Sequence, residues 1–125
     1  MAIIYLAAPY SHVDPRVREV RVAETSKIAA TLMGQGHTVY SPITHGHVIS
    51  SYMPQELVED HAFWVRQGLP FLLRSDWMVI APLPGWESSK GIEIEDGCAK
   101  ANRIPVFVYH QFEEDSSKFL LTIRN

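Results

Sequence analysis

The chemistry-bearing residues of this chain concentrate between Ser75 and Ala101, where Ser-Asp-Trp-Met-Val-Ile-Ala-Pro-Leu-Pro-Gly-Trp-Glu-Ser-Ser-Lys-Gly-Ile-Glu-Ile-Glu-Asp-Gly-Cys-Ala-Lys-Ala reads as a strand, a Pro/Gly loop and a helix. The helix opens on Ser89 and Gly91. Helix starts expose unpaired N–H groups and positive dipole, and so attract phosphate or carboxylate. Glu93 and Asp96 fit as dipole compensation at that end. Glu95 differs. On a helical wheel, Glu93, Asp96 and Lys100 share one side, and Ile92, Ile94, Cys98, Ala99 and Ala101 occupy the opposite arc. Glu95 falls inside the apolar arc. A carboxylate there is expensive to bury unless it is paired or used. An inward acid near a strand end is a functional-site candidate; the bland alternative is a buried Glu satisfied by backbone N–H or a histidine.

Other residues offer weaker chemistry. Arg18, beside the first loop, has the reach to hold a phosphate bidentately, although a solvated helix-start arginine explains it as well. His45 and His47 flank Gly46, with His12 and His61 elsewhere. One of them, His45 in the first instance, is a candidate contact to base or sugar. Loop histidines two apart fix no coordination geometry, and the single cysteine, Cys98, excludes a Cys-based zinc site, so no metal is expected. Trp86, in a Pro-Gly loop, is placed to stack on a base or a partner subunit. Trp64 and Trp77 read as core or interface, Tyr52-Met53-Pro54 as a lid or interface, and Cys98 as a small core hydrophobe.

Four pieces in order carry a resemblance: Ile4-Tyr5-Leu6-Ala7-Ala8-Pro9-Tyr10, then Ser75-Asp76, then Ser89-Lys90-Gly91-Ile92-Glu93-Ile94-Glu95, then Ala99. With the Leu-Pro-Gly-Trp-x-x-Ser-x-Gly segment, they make the chain similar to the nucleoside 2-deoxyribosyltransferase-like superfamily, from the first strand to the strand at Ile104. The family cleaves N-glycosidic bonds of (deoxy)nucleosides or their monophosphates. The resemblance implies that Glu95 is the nucleophile at the anomeric carbon, forming a covalent glycosyl-enzyme. It implies that Tyr5 orients and holds ionised that carboxylate, within about 2.5–3.0 Å. Asp76 would then sit near the base and help protonate it as it leaves. Ser89 would read a 5′-phosphate, with Gly91, Pro9, Tyr10, Arg18, His45 and Trp86 lining the same ligand. The loop Ala7–Ser11 departs from the pattern by carrying no glycine.

The elements that must position these residues are legible by period. Ile3–Ala7 is a short strand. A helix runs from Pro15 to Met33, with Asp14 as N-cap and Val22, Thr25, Ala29, Leu32 and Met33 on one stripe. Gly34-Gln35-Gly36 stops it. His37–Pro42 is a second strand and residues 43–54 a loop. A helix over Gln55–Arg74 is expected to break near Gly68 and Pro70. Asp76–Pro82 and Ile104–Tyr109 are apolar strands around a helix from Lys90 to Asn102, and Phe119–Ile123 is a last short strand. Strands apolar throughout imply burial on both faces. The pattern predicts an α/β fold: a three-layer α/β/α sandwich with a mostly parallel, flavodoxin- or Rossmann-like sheet of about five strands, as one domain over residues 1–125. Ligands of such sheets bind at the carboxyl ends of the strands.

The composition bounds function. The 125 residues are 46% hydrophobic and carry 11 Lys+Arg against 14 Asp+Glu, a net charge of −3. That balance supplies no basic field for a nucleic acid polymer. No apolar run approaches the roughly 20 residues of a membrane span. The N-terminus lacks the basic start of a signal peptide, so a cytoplasmic protein is expected. The leading expectation is cleavage of a nucleoside or nucleotide glycosidic bond, with transfer to water or another base and no cofactor. The alternative is a non-catalytic nucleotide-binding or sensory module of the same fold. A homo-oligomer with a cleft completed across the interface is expected as well.

Overall fold

A computed structural model describes residues 2–111 and 119–123. Its elements, in order, are β1 (Ile3–Ala7), α1 (Pro15–Gly34), β2 (Thr38–Tyr40), α2 (Pro42–Ser50), α3 (Gln55–Val58), α4 (His61–Leu73), β3 (Trp77–Ile80), a 3-10 turn (Trp86–Ser88), α5 (Lys90–Ala101), β4 (Val106–Gln111) and β5 (Phe119–Ile123). The sheet order is β2-β1-β3-β4-β5. β1, β2, β3 and β4 run parallel, and β5 joins antiparallel at the β4 edge. This is the doubly wound, flavodoxin-like order, whose direction of winding reverses between β1 and β3.

Alternation along β1 divides the core. Ile4 and Leu6 pack with Ala29 and Leu32 of α1, together with Val79. Tyr5 and Ala7 face the other way, against Leu72 of α4 and Ile92 and Ala99 of α5, with Met78 and Ile80. The helices therefore lie on both faces of the sheet.

The caps explain where the helices start. Asp14 accepts from the Arg16 N–H at 2.9 Å and Pro15 opens α1. Gly36 adopts φ 97°, which ends that segment. The expected stripe of α1 holds at Thr25, Ala29 and Leu32, but Met33 is exposed. Residues 43–50, expected as loop, form α2 together with Pro42, expected as the end of the second strand. Ser41 caps it by accepting from Thr44 N–H at 3.4 Å and Pro42 opens it. Gly46 lies inside α2 because the Trp64 ring stands 3.1 Å from where its β-carbon would be. The break expected near Gly68 and Pro70 falls instead between Val58 and His61, where Asp60 caps a new helix by accepting from Phe63 N–H at 3.2 Å. α4 then runs through both Gly68 and Pro70.

Candidate functional site

α5 begins where the β3 strand has ended. Ser89 caps it, its Oγ accepting from the Ile92 N–H at 3.3 Å. Ile92, Glu95 and Ala99 then recur at i, i+3 and i+7 on one stripe. Ile92 and Ala99 are buried and fix that stripe against the sheet. Glu95 is carried inward with them. Exposed Ile94 and Ala101 leave the apolar arc narrower than the wheel implies.

Tyr5 stands in the middle of β1, in register with Tyr40 of β2 and Met78 of β3, and is 1% exposed. Its hydroxyl donates to Glu95 Oε2 at 2.5 Å across 90 residues of sequence. Burial pushes the Glu95 carboxyl up to about 7, and the Tyr5 hydrogen bond pulls it back only in part. The pair is thus not held fully ionised, as the sequence led one to expect. It is poised between acid and carboxylate at neutral pH. Tyr5 itself is raised, by burial first and by the Glu95 charge second, so its proton stays on.

An aromatic wall flanks the pair. Tyr40 lies 5.8 Å from Tyr5, ring to ring, and stacks flat on Phe71 of α4 at 4.1 Å. Burial and then the Glu95 charge raise the Tyr40 hydroxyl too. His45 of α2, exposed, tilts against Tyr40 at 5.5 Å. Gly68 of α4 leaves the space that the Tyr5 hydroxyl fills.

The loops at the carboxyl edge carry a second group of polar side chains. The Tyr10 hydroxyl and His47 Nδ1 are 2.7 Å apart, and His47 Nε2 lies 2.9 Å from Glu19 Oε1. Arg18, half-buried, donates to the His12 carbonyl. Arg21 clasps two loops together, donating from Nη1 to the Ser11 carbonyl at 2.9 Å and from Nη2 to the Pro84 carbonyl at 3.1 Å. The clasp uses the space beside Gly85, which has φ 93°. It joins the loop after β1 to the loop after β3, the two sides of the switch point.

Not every expected residue reaches this edge. Asp76 precedes β3 and lies at the amino edge, exposed. Its Oδ2 accepts from the Ile3 N–H at 2.8 Å, while its own N–H donates to the Ile3 carbonyl at 2.7 Å. It fastens the start of β1 to β3 and stands apart from Tyr5 and Glu95. The reason is strand direction: parallel strands put whatever precedes β3 at the end opposite the ligand edge. Trp86 is not a free loop ring but packs half-buried against the Tyr5 side of the core. Pro9 is fully buried, a wall rather than a contact surface. Gly91 would meet nothing nearer than Ser89 Oγ at 3.9 Å if it carried a β-carbon. Tyr52 is 87% exposed, at the end of α2.

Among the described residues, no three His, Cys, Asp or Glu side chains stand where they could share a metal ion. No described helix is long and apolar enough to cross a membrane. A surface cleft of about 310 Å³, lined by Lys27, Ile28, Leu83 and Tyr109 among others, lies on the α1 face of the sheet, away from the Tyr5–Glu95 pair.

Tyr40, Gly68, Phe71, Glu19 and Arg21 were not visible as site residues in the sequence. A glycine inside a helix is the one local signal among them, since it implies a close neighbour.

Fold and site together define a doubly wound α/β protein with a phenol–carboxyl pair beside the switch point of its sheet. The chain belongs to the family described as a domain of unknown function (DUF1937), whose model matches residues 2–111. No curated protein matches the chain.

Proposed function

We propose that this protein cleaves the N-glycosidic bond of a nucleoside or nucleoside 5′-monophosphate, with Glu95 as nucleophile. The observation that carries the reading is the 2.5 Å hydrogen bond from the Tyr5 hydroxyl to a part-buried Glu95 carboxyl. The carboxylate Oε attacks the anomeric carbon, and the base departs with the electrons of the C–N bond. Water or a second base then takes the sugar from the ester. Tyr5 donates to one oxygen and fixes the rotamer, leaving the other for attack. Ser89 and the free N–H groups of the α5 start favour a phosphate on the sugar. The resemblance to the nucleoside 2-deoxyribosyltransferase-like superfamily supports the same assignment at Tyr5, Ser89 and Glu95. A homo-oligomer, a cytoplasmic location and a small-molecule nucleotide ligand without a cofactor belong to this reading.

The test is a panel of nucleosides and 5′-monophosphates incubated with and without an acceptor base, with free base read by chromatography. Base release by the wild type and none by Glu95→Ala supports the assignment. Release by Glu95→Ala at the wild-type rate overturns it. Tight monophosphate binding with no release by the wild type favours a binding or sensory module.

A further inference from the structure

The buried stripe of α1 ends in a charge. Thr25, Ala29 and Leu32 are the buried positions of that helix, and half-buried Arg21 lies one turn before Thr25 on the same side. The buried Thr25 hydroxyl donates to the Arg21 carbonyl at 2.7 Å and fixes the backbone of that turn. α1 is the crossover between the parallel strands β1 and β2, so it runs back along the sheet and its first turns stand at the carboxyl edge.

At that edge β1 and β3 part. Their last tie is the Ala81 N–H, which donates to the Ala7 carbonyl at 2.8 Å. Arg21 joins the two chains again further out, Nη1 donating to the Ser11 carbonyl at 2.9 Å and Nη2 to the Pro84 carbonyl at 3.1 Å. A guanidinium is a planar fork that holds two acceptors in fixed geometry, where an ammonium is a point charge. Both acceptors are backbone atoms, so the fork fixes main chain. Gly85 fits the fork: a β-carbon there would stand 3.0 Å from Nη2.

The held loop leads to the site through a series of printed contacts. The Trp86 N–H donates to the Leu83 carbonyl at 3.0 Å, and Trp86 packs on the cluster of Tyr5, Ile92 and Ala99. The Ser89 N–H donates to the Trp86 carbonyl at 3.2 Å, and Ser89 Oγ caps the helix that carries Glu95. Tyr5 and Glu95 bond β1 to α5 on one face of the sheet. From the α1 face, Arg21 ties the segment after β1 to the segment before α5.

We propose that Arg21 is a positioning residue: its fork sets the separation of the two switch-point loops and so shapes the seat for substrate at the start of α5. The inference rests on the reading of that place as the substrate site, given above. Arg21 takes no part in the bond-breaking step.

Amide hydrogen exchange and base release by the wild type, Arg21→Ala and Arg21→Lys test the assignment. The clasp bonds are exposed, so both variants should fold with denaturation midpoints near that of the wild type. In Arg21→Ala the Trp86 and Ser89 amides should exchange about tenfold faster or more, while Ala29 and Leu32 within α1 are unchanged. KM for the monophosphate should rise about tenfold with kcat within a few-fold of wild type, because the seat changes and the Tyr5–Glu95 bond does not. Arg21→Lys keeps the charge and loses the fork, so it should behave as Arg21→Ala. Unchanged exchange at Trp86 and Ser89, an unchanged KM, full recovery in Arg21→Lys, or loss of the fold in both variants overturns the proposal. A wild type that binds a monophosphate but releases no base overturns the glycosidase reading alone. The affinity of the monophosphate then stands in for KM in the same comparison, and equal affinity in the wild type and Arg21→Ala overturns the role of Arg21.

Discussion

A β-carbon on Gly68 would stand 2.6 Å from the hydroxyl oxygen of Tyr5, closer than non-bonded atoms approach. Gly68 sits within α4, where glycine is about 1 kcal/mol worse than alanine. The helix tolerates that loss because the phenol needs the space to reach Glu95. Three elements distant in sequence thus meet at one oxygen: α4 makes room, β1 supplies the hydroxyl and α5 the carboxyl.

Gly68→Ala should therefore destabilise the wild type by roughly 1–3 kcal/mol, the usual range for overpacking a core, despite the better helix former. In a Tyr5→Phe background the obstructing oxygen is gone, and the same change should be neutral or stabilising by up to about 1 kcal/mol. Urea denaturation of the four proteins in this cycle reads the difference. Equal effects of Gly68→Ala in both backgrounds would mean that the glycine answers to something other than Tyr5.

Glu95 should weaken the fold that holds it. Its carboxyl rises from an ordinary 4.5 to about 7 on folding, so the folded protein binds more protons than the unfolded chain between those values. Stability must then fall as pH rises from 4.5 through 7 and level off above, by on the order of 3 kcal/mol. Glu95→Gln removes the titration, and its amide oxygen can still accept from Tyr5. The variant should match the wild type at pH 4.5 and exceed it by most of that amount at pH 8, while releasing no base. Denaturation midpoints of the two proteins across that pH range would show the divergence; parallel curves would exclude a perturbed Glu95.

On the proposed mechanism Glu95 acts as carboxylate, so base release should climb with pH up to about 7 on its acid limb. The Tyr5 hydrogen bond lowers the carboxyl against burial. Tyr5→Phe should accordingly move that limb to higher pH as well as slowing release. A kcat/KM profile for both proteins on one substrate checks it. A limb that stays in place while the rate drops would assign Tyr5 to something other than holding the charge on Glu95.

Much of this arrangement was legible in the sequence, and the failures have physical causes. The inward turn of Glu95 follows from helical period because Ile92 and Ala99 anchor the same stripe. Asp14 read correctly as a cap because capping is local chemistry. Gly46 and Gly68 misled, since breaker propensity is local but the rings they accommodate, Trp64 and Tyr5, come from elsewhere in the chain. α2 was hidden for the same reason: nine residues with a central glycine hold helix only through Ser41, Pro42 and tertiary contact. Asp76 misled although parallel strand direction, taken strictly, already puts a residue before β3 at the amino edge. The Tyr10–His47–Glu19 chain joins three elements, and no spacing in one segment reveals it.

Asp76→Ala separates the structural role from a catalytic one. The side chain accepts the Ile3 N–H at the start of β1, an exposed position. Its loss should lower stability by about 0.5–1.5 kcal/mol and leave kcat/KM for base release within a few-fold of wild type. A thousandfold loss of activity with an intact fold would return Asp76 to the chemistry.

Ser89 does two jobs that one substitution can separate. Its Oγ caps α5 by accepting from the Ile92 N–H, and the hydroxyl proton remains to meet an anion. Ser89→Ala removes both functions and should lower stability by about 0.5–2 kcal/mol, which confuses any loss of binding. Ser89→Asp keeps a good cap and reverses the charge at the mouth of the helix. Wild type should bind a 5′-monophosphate more tightly than its nucleoside by about 1–3 kcal/mol, for a charge-assisted hydrogen bond at a helix start. In Ser89→Asp the added carboxylate should repel phosphate, so monophosphate affinity falls at least tenfold while nucleoside affinity changes little or rises. Calorimetry with both ligands on both proteins reads all four values. If monophosphate and nucleoside bind the wild type equally, or if Ser89→Asp weakens both alike, the helix start does not read the phosphate and the nucleotide preference falls.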